Sequence, residues 1–229
     1  MKKNRKVAVV VFPGSNCDRD AQRAIKAATG LEAQFVWHKE SFMEDFDLIV
    51  LPGGFSFGDY LRTGAIARYS PVMAEVIRQA KRGARVLGIC NGFQILTETG
   101  LLPGALLRNR DLLFLSQDVW LRVENNATAF TSAYERKQVI RLPIAHGDGN
   151  YFIDDEGYKK LEGEGRIVFR YCAPDGSGTV APNGARGSIA GIINEEGNVL
   201  GLMPHPERLS EPILGGVDGK GMFKSLLSA

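Results

Sequence analysis

Cys90, His205 and Glu207 are the residues whose types and spacing point most directly to chemistry. Cys90 stands in Val86-Leu87-Gly88-Ile89-Cys90-Asn91-Gly92-Phe93-Gln94, a G-x-C-x-G run joining an apolar stretch to a helix-forming one. The pattern follows the logic of a nucleophile elbow, in which flanking glycines let the chain turn sharply and leave room around a strained nucleophile. A thiol placed there meets the positive end of the helix and its free backbone N–H groups, which favour the thiolate. The N–H of Asn91 is then positioned to stabilise an oxyanion. The competing reading is a small buried hydrophobe at the end of a core strand. Cys17 and Cys172 lack the paired glycines and are not read as nucleophiles. Three widely separated cysteines with no C-x-x-C pair encourage neither a disulfide framework nor a zinc site.

A catalytic cysteine of this kind needs a histidine, and the chain has three: His38, His146 and His205. Two are followed two residues later by a carboxylate, as His146-Gly147-Asp148 and His205-Pro206-Glu207. In extended backbone, residues i and i+2 point the same way, so either acid can serve its histidine. The prolines favour His205: Pro204 and Pro206 restrict φ on both sides and hold the segment extended, a rigid mount for an imidazole. His146 runs into Gly-Asp-Gly-Asn, a loop better suited to a turn or a ligand contact. On residues alone two alternatives stay open. One is a different cysteine hydrolase using Cys90 with His146 and Asp148. The other is a flavodoxin-like binding module holding an anion at the strand ends.

The surrounding pattern predicts the scaffold. Val7–Phe12, Ala33–Trp37, Asp47–Leu51 and Arg85–Ile89 read as buried strands, two of them ending at the breakers Pro13-Gly14 and Pro52-Gly53-Gly54. Asp18–Thr29, Pro71–Arg82 and Asn91–Thr99 read as helices, with Gly30, Gly83 and Gly100 as stops. Strand alternating with helix implies α/β architecture, an open, doubly wound, mainly parallel sheet with helices on both faces. After Gly104, Asp118–Glu124, Val139–Ala145, Arg166–Cys172, Ser188–Ile193 and Val199–Met203 read as strands with few helices between them. They are expected as antiparallel additions, with Glu195–Asn198 as a hairpin turn and a last helix at Met222–Leu227. No repeat or linker divides the 229 residues, so residues 1–229 are expected to form one domain.

Composition narrows the partners. A formal net charge of +2 points neither to nucleic acid nor to an anionic membrane. The basic start Lys2–Lys6 and the apolar run after it resemble a secretory signal, but six apolar residues are too few, and no stretch approaches the ~18 of a membrane span. A cytoplasmic protein is expected. No G-x-x-x-x-G-K-[ST] motif is present, so no nucleotide site is expected in this chain.

The pairing of Gly88–Gln94 with Pro204–Glu207 resembles the class I (triad) glutamine amidotransferases. The runs FPGSNCDRD (12–20), PGGFSFGDYLRTGAIA (52–67), LPIAHGDGNY (142–151) and MPHPER (203–208) are similar to a branch of that family. Its members supply ammonia to an ATP-dependent carbon–nitrogen ligase of de novo purine synthesis. The resemblance spans residues 7 to 208 and beyond. It implies the class I glutaminase fold, with Cys90 attacking the glutamine amide, His205 as base and then acid, and Glu207 orienting His205. It assigns Gly53 and Gly54 to the oxyanion loop together with Asn91, and Gln94 to the glutamine pocket. It implies no cofactor in this chain. ATP and Mg2+ belong on a separate synthetase subunit that converts phosphoribosylformylglycinamide to the amidine, with a small third subunit in the complex. Asp148 and Ala181 depart from the branch's pattern, where Glu and Asn are expected; both lie outside the triad.

Overall fold

The computed structural model describes residues 5–41 and 44–228. Met1 and the first part of the basic start, residues 2–4, lie outside them. The apolar runs form the expected strands: β1 (Val7–Val11), β2 (Ala33–Trp37), β3 (Leu48–Leu51) and β4 (Arg85–Ile89). Between them lie α1 (Asp18–Thr29) and α2 (Pro71–Lys81), and β4 leads into α3 (Asn91–Glu98). Helix α1 buries Ala21, Ala24 and Ile25 and carries Asp18 and Asp20 in its first turn, where the helix dipole favours negative charge. Gly30 closes it at φ 74°, donating its N–H to Lys26 O.

The later chain supplies β5 (Ala105–Leu107), β6 (Leu115–Val123), β7 (Val139–His146), β8 (Asn150–Phe152), β9 (Ile167–Cys172), β10 (Ile189–Ile193) and β11 (Val199–Leu202). Two more helices, α4 (Asp155–Gly163) and α5 (Lys220–Ser228), complete the list. Three elements are absent from the sequence expectation. Helix α4 buries only Leu161, so its apolar stripe is too faint to register. Strands β5 and β8 are three residues each, too short for an alternating pattern to register, and they pair with one another apart from the main sheet.

The main sheet has the order β2-β1-β3-β4-β11-β10-β9-β6-β7. Pairings from β2 through β11 are parallel, and those from β11 through β7 are antiparallel. The steps β1→β2 and β3→β4 run in opposite directions, so right-handed crossovers place α1 and α2 on opposite faces. The reversal between β1 and β3 opens a crevice at the carboxyl ends of those strands, where ligands of such sheets bind. There the loops after β1 and β3 are stitched together: Cys17 N–H donates to Gly53 O at 3.2 Å and Phe55 N–H to Gly14 O at 2.9 Å.

Strand β11, expected from the sequence among the antiparallel additions, instead extends the parallel half: it lies parallel to β4, with Gly201 opposite Gly88, and only its other edge pairs antiparallel, with β10. The carboxyl ends of β4 and β11 are therefore side by side, which brings the segment after Leu202 next to the turn after Ile89. Strand β7 is at the far edge of the order, yet Pro143 O accepts the His205 N–H at 2.9 Å. The antiparallel half must curl back over the strand ends, an exaggeration of the ordinary sheet twist. Among the described residues, no helix is long and apolar enough to cross a membrane.

Candidate active site

The turn at Cys90 is strained as an elbow requires. Cys90 adopts φ 50°, ψ −105°, outside the regions open to ordinary L-residues, and is buried. The geometry is paid for by glycine. A Cβ on Gly92 would stand 2.0 Å from Leu51 O, and one on Gly88 would stand 2.7 Å from Gly92 O. Opposite them, a Cβ on Gly201 would stand 2.2 Å from Phe93 Cδ2, so Gly201 makes room for α3 to cross the sheet closely. The Cys90 N–H donates to Leu202 O at 2.8 Å, tying the elbow to the end of β11. The thiol lies 3.7 Å from Ala145 O at the end of β7.

His205 and Glu207 occupy the segment that begins at the end of β11 and enters the 3-10 turn Pro206–Leu209. The His205 ring Nδ1 meets Glu207 Oε1 at 2.6 Å, and both side chains are buried. Nε2 of the ring makes no hydrogen bond of ordinary geometry. Burial works against the charged imidazolium, but the Glu207 carboxylate, then the neighbouring Cys90 and Cys17, overcome it and hold His205 well above the usual histidine range. The i, i+2 carboxylate expected from the sequence is thus the group that orients this ring.

The structure does not pair His146 with Asp148. His146 is the last residue of β7 and is buried, and its Nδ1 meets Asn109 Oδ1 at 3.1 Å. Asn109 also donates to His146 O and Leu113 O and accepts from Gly149 N–H, so one amide organises the whole turn. Desolvation, then the nearby His205, push the His146 pKa down to about 4. His146 is neutral near pH 7 and carries no orienting carboxylate. Asp148 instead faces Asp59, whose carboxyl is raised to about 6 by desolvation first and Asp148 second. His38, which follows β2, is also buried, against Ser70 Oγ at 3.2 Å.

The remaining predicted residues gather around the elbow. Asn91 Nδ2 donates to Gln94 Oε1 at 2.8 Å, Gln94 Nε2 to Asp148 O at 2.6 Å, and Ser56 N–H to Asn91 Oδ1 at 3.2 Å. Gln94 is a buried link between the elbow and the loop after β7, not a helix-surface residue. Gly53 and Gly54 follow β3, Gly53 against the ring of His205 and Gly54, at φ 152°, against the backbone of Gly14 and Ser15. Sequence reasoning missed Asn109, Asn183 and Cys17. Asn183 is fully buried and donates to Gly149 O at 2.7 Å, clamping the same turn as Asn109. Ala181, two residues before it, is packed against the core. Cys17 lies against His205 across the β1–β3 crevice and donates to Asn16 Oδ1 at 3.1 Å. Its signal in the sequence was only its place beside a Pro-Gly turn.

A strained cysteine elbow at the ends of parallel strands, with a buried His–Glu pair just beyond the neighbouring strand, has the arrangement of a cysteine-hydrolase site on an α/β sheet. The chain belongs to the family of CobB/CobQ-like glutamine amidotransferase domains, whose pattern matches residues 4–216. It is 55% identical over 224 residues to the phosphoribosylformylglycinamidine synthase subunit PurQ of Moorella thermoacetica, covering 97% of this chain and 95% of that protein. A chain in the PurLQS structure from Thermotoga maritima superposes with a TM-score of 0.87 at 48% identity, over 100% of this chain and 99% of that one. A glutamine amidotransferase structure from the same organism, 16% identical, shares the fold at a TM-score of 0.62 over 99% of this chain and 97% of its own.

Proposed function

We infer that the chain is the glutaminase subunit of a phosphoribosylformylglycinamidine synthase, hydrolysing glutamine at Cys90 and delivering the ammonia to an ATP-dependent synthetase subunit. The observation that carries this reading is the 2.6 Å contact of His205 Nδ1 with Glu207 Oε1, buried beside the strained Cys90. The similarity to PurQ and to a chain of PurLQS supports the choice of acceptor and of synthetase partner.

In the proposed reaction Cys90 Sγ, as thiolate, attacks Cδ of the glutamine side chain, and the amide oxygen becomes an oxyanion facing backbone N–H groups of the Gly53-Gly54 and Asn91 turns. Collapse breaks the C–N bond. His205, kept protonated by Glu207, gives its proton to the leaving nitrogen, which departs as ammonia and leaves a thioester on Cys90. His205 then takes a proton from water, the hydroxide attacks the thioester carbonyl, and glutamate leaves as the thiolate reforms. Gln94, fixed between Asn91 and Asp148 O, lines the pocket for the rest of the substrate. No cofactor enters these steps. ATP and Mg2+ belong to the synthetase, and a small third subunit completes the complex. The 229 residues act as one amidotransferase domain, and the reaction belongs in the cytoplasm.

The test is the reconstituted complex. Glutamine-dependent amidine formation is expected to fall by at least about a thousandfold in Cys90→Ala, while amidine formation from added ammonium salt persists. Ordinary glutamine-dependent turnover without Cys90 refutes the assignment.

A further inference from the structure

Asp59 and Asp148 take no part in the proposed proton transfers, yet their carboxylates face one another beside the pocket. Burial and Asp148 act on the Asp59 carboxyl, and no cationic side chain of the described residues offsets them. Asp59 Oδ1 is buried and makes no hydrogen bond. Two hydroxyls of the same loop share that condition: Ser56 is 2% exposed and Thr63 6%, and neither Ser56 Oγ nor Thr63 Oγ1 has a partner. Folded interiors rarely leave polar atoms so, and a run of them on one loop points to a ligand that completes them.

The contacts of this loop gather its groups around the first turn of α3. Ser56 N–H donates to Asn91 Oδ1 at 3.2 Å. Gly64, next to Thr63, lies so close to α3 that a Cβ on it would stand 2.9 Å from Ile95 N. From the other side, Asp148 O accepts from Gln94 Nε2 at 2.6 Å. Asp148 also follows shortly after Ala145, whose O lies 3.7 Å from Cys90 Sγ. Both aspartates are only half-buried, so a ligand can reach them from solvent.

We propose that Asp59 and Asp148, completed by the hydroxyls of Ser56 and Thr63, form the subsite that holds the α-ammonium group of the glutamine substrate. Ionised carboxylates only accept hydrogen bonds, and an ammonium group brings three donors and the missing positive charge. The place of the subsite against Gln94, in the proposed glutamine pocket, assigns that cation to the substrate. Four bonds join the ammonium nitrogen to the carbon that Cys90 attacks, a span of about 5 Å in an extended chain. Gln94 stands one helical turn, about 5.4 Å, beyond Cys90, so the lengths agree. The subsite selects amides of α-amino acids over simple amides, and binding there transfers no proton.

The inference rests on glutamine as the substrate, and the two readings fail separately. Glutaminase kinetics of the reconstituted complex are measured with glutamine and with 4-carbamoylbutanoate, which is glutamine without its amino group. The wild-type complex is expected to prefer glutamine in kcat/KM by at least about a hundredfold, since a site that bonds a polar group rejects an analogue lacking it. Asp59→Asn and Asp148→Asn keep the side-chain shape. Each is expected to lower kcat/KM for glutamine by at least about tenfold, chiefly through KM, and to leave the value for the analogue within about twofold. Equilibrium binding of glutamine to the complex carrying Cys90→Ala is expected to weaken by a similar factor when Asp59→Asn is added. Parallel losses for both substrates mark a structural role and overturn the subsite, as does an unchanged preference for glutamine. Turnover that survives Cys90→Ala refutes the assigned reaction instead, whatever the two aspartates do.

Discussion

Gly53 lies directly against the ring of His205: a methyl group on its α-carbon would stand 2.7 Å from His205 Cε1 and 3.1 Å from Cys17 Sγ. The first glycine after β3 is therefore required for the position of the imidazole, in addition to the backbone approach expected of an oxyanion loop. Gly53→Ala is expected to displace the ring and lower kcat by at least about a hundredfold, since an ångström of misplacement carries that cost. Thermal unfolding of the variant and its glutaminase rate, measured together, separate this from a general loss of fold. A variant with normal kcat contradicts the packing argument.

Glu207→Gln removes the charge that holds His205 above the usual histidine range. The imidazolium is then lost at lower pH, so the alkaline limb of the glutaminase pH profile is expected to move down, with kcat reduced by about 10²–10⁴. The stability effect has a defined sign. A raised folded-state pKa stabilises fully below the unfolded value near 6.5, and that contribution disappears as pH rises through the folded value. The advantage of the wild-type chain over Glu207→Gln in urea denaturation is therefore expected to be greatest at or below about pH 6 and to shrink in alkali. An unshifted alkaline limb would count against Glu207 as the orienting group.

His146 is expected to behave in the opposite sense. Its folded pKa near 4 lies below the unfolded value, so the unfolded chain binds the proton first and stability falls as pH drops from about 6.5 to about 4. The shift corresponds to about 3 kcal/mol at the acid end. His146→Gln is expected to flatten this part of the stability curve while retaining thioester formation, whereas His205→Ala abolishes it. Denaturation midpoints across pH, with trapping of the acyl-enzyme on both variants, decide between the two histidines.

Asp59 carries a cost that neutralisation removes. Its carboxyl is raised to about 6 by desolvation and by Asp148, so the folded state holds the proton longer than the unfolded one. Stability is lost as pH rises from about 4 to about 6 and stays lost above it. Asp59→Asn is expected to stabilise the chain by about 1–3 kcal/mol at pH 7.5 and by little at pH 4. Calorimetric melting at both pH values checks this. Asp59 lies in a stretch where Phe57, Asp59 and Leu61 all have positive φ, a concentration of strain of the kind found at functional loops.

What could be read directly was local. Gly88, Cys90 and Gly92 fall within five residues, so the steric demand of the elbow is written in the chain itself. His205 and Glu207 are two residues apart, so their contact is local, but Glu207 reaches the ring from the 3-10 turn Pro206–Leu209 and not along the extended segment that the prolines suggest. The strands β1 and β3 are short apolar runs ending at breakers, β4 is one that runs into the elbow, and α1 and α2 carry clear stripes and stops. The faint stripe of α4 and the brevity of β5 and β8 kept those elements hidden.

Tertiary structure decided the relationships between segments far apart in the chain. The parallel pairing of β4 with β11 sets Cys90 beside His205, although 115 residues separate them by their numbers. The curl of the antiparallel half brings His146 close enough to feel His205 and gives its ring to Asn109 rather than Asp148. The reversal of strand order between β1 and β3 delivers Cys17 to the same imidazole. Local pattern fixes which residue types can react, because backbone geometry acts over a few residues. Sheet order fixes which of them meet, because that depends on strand pairings that no short stretch of sequence contains.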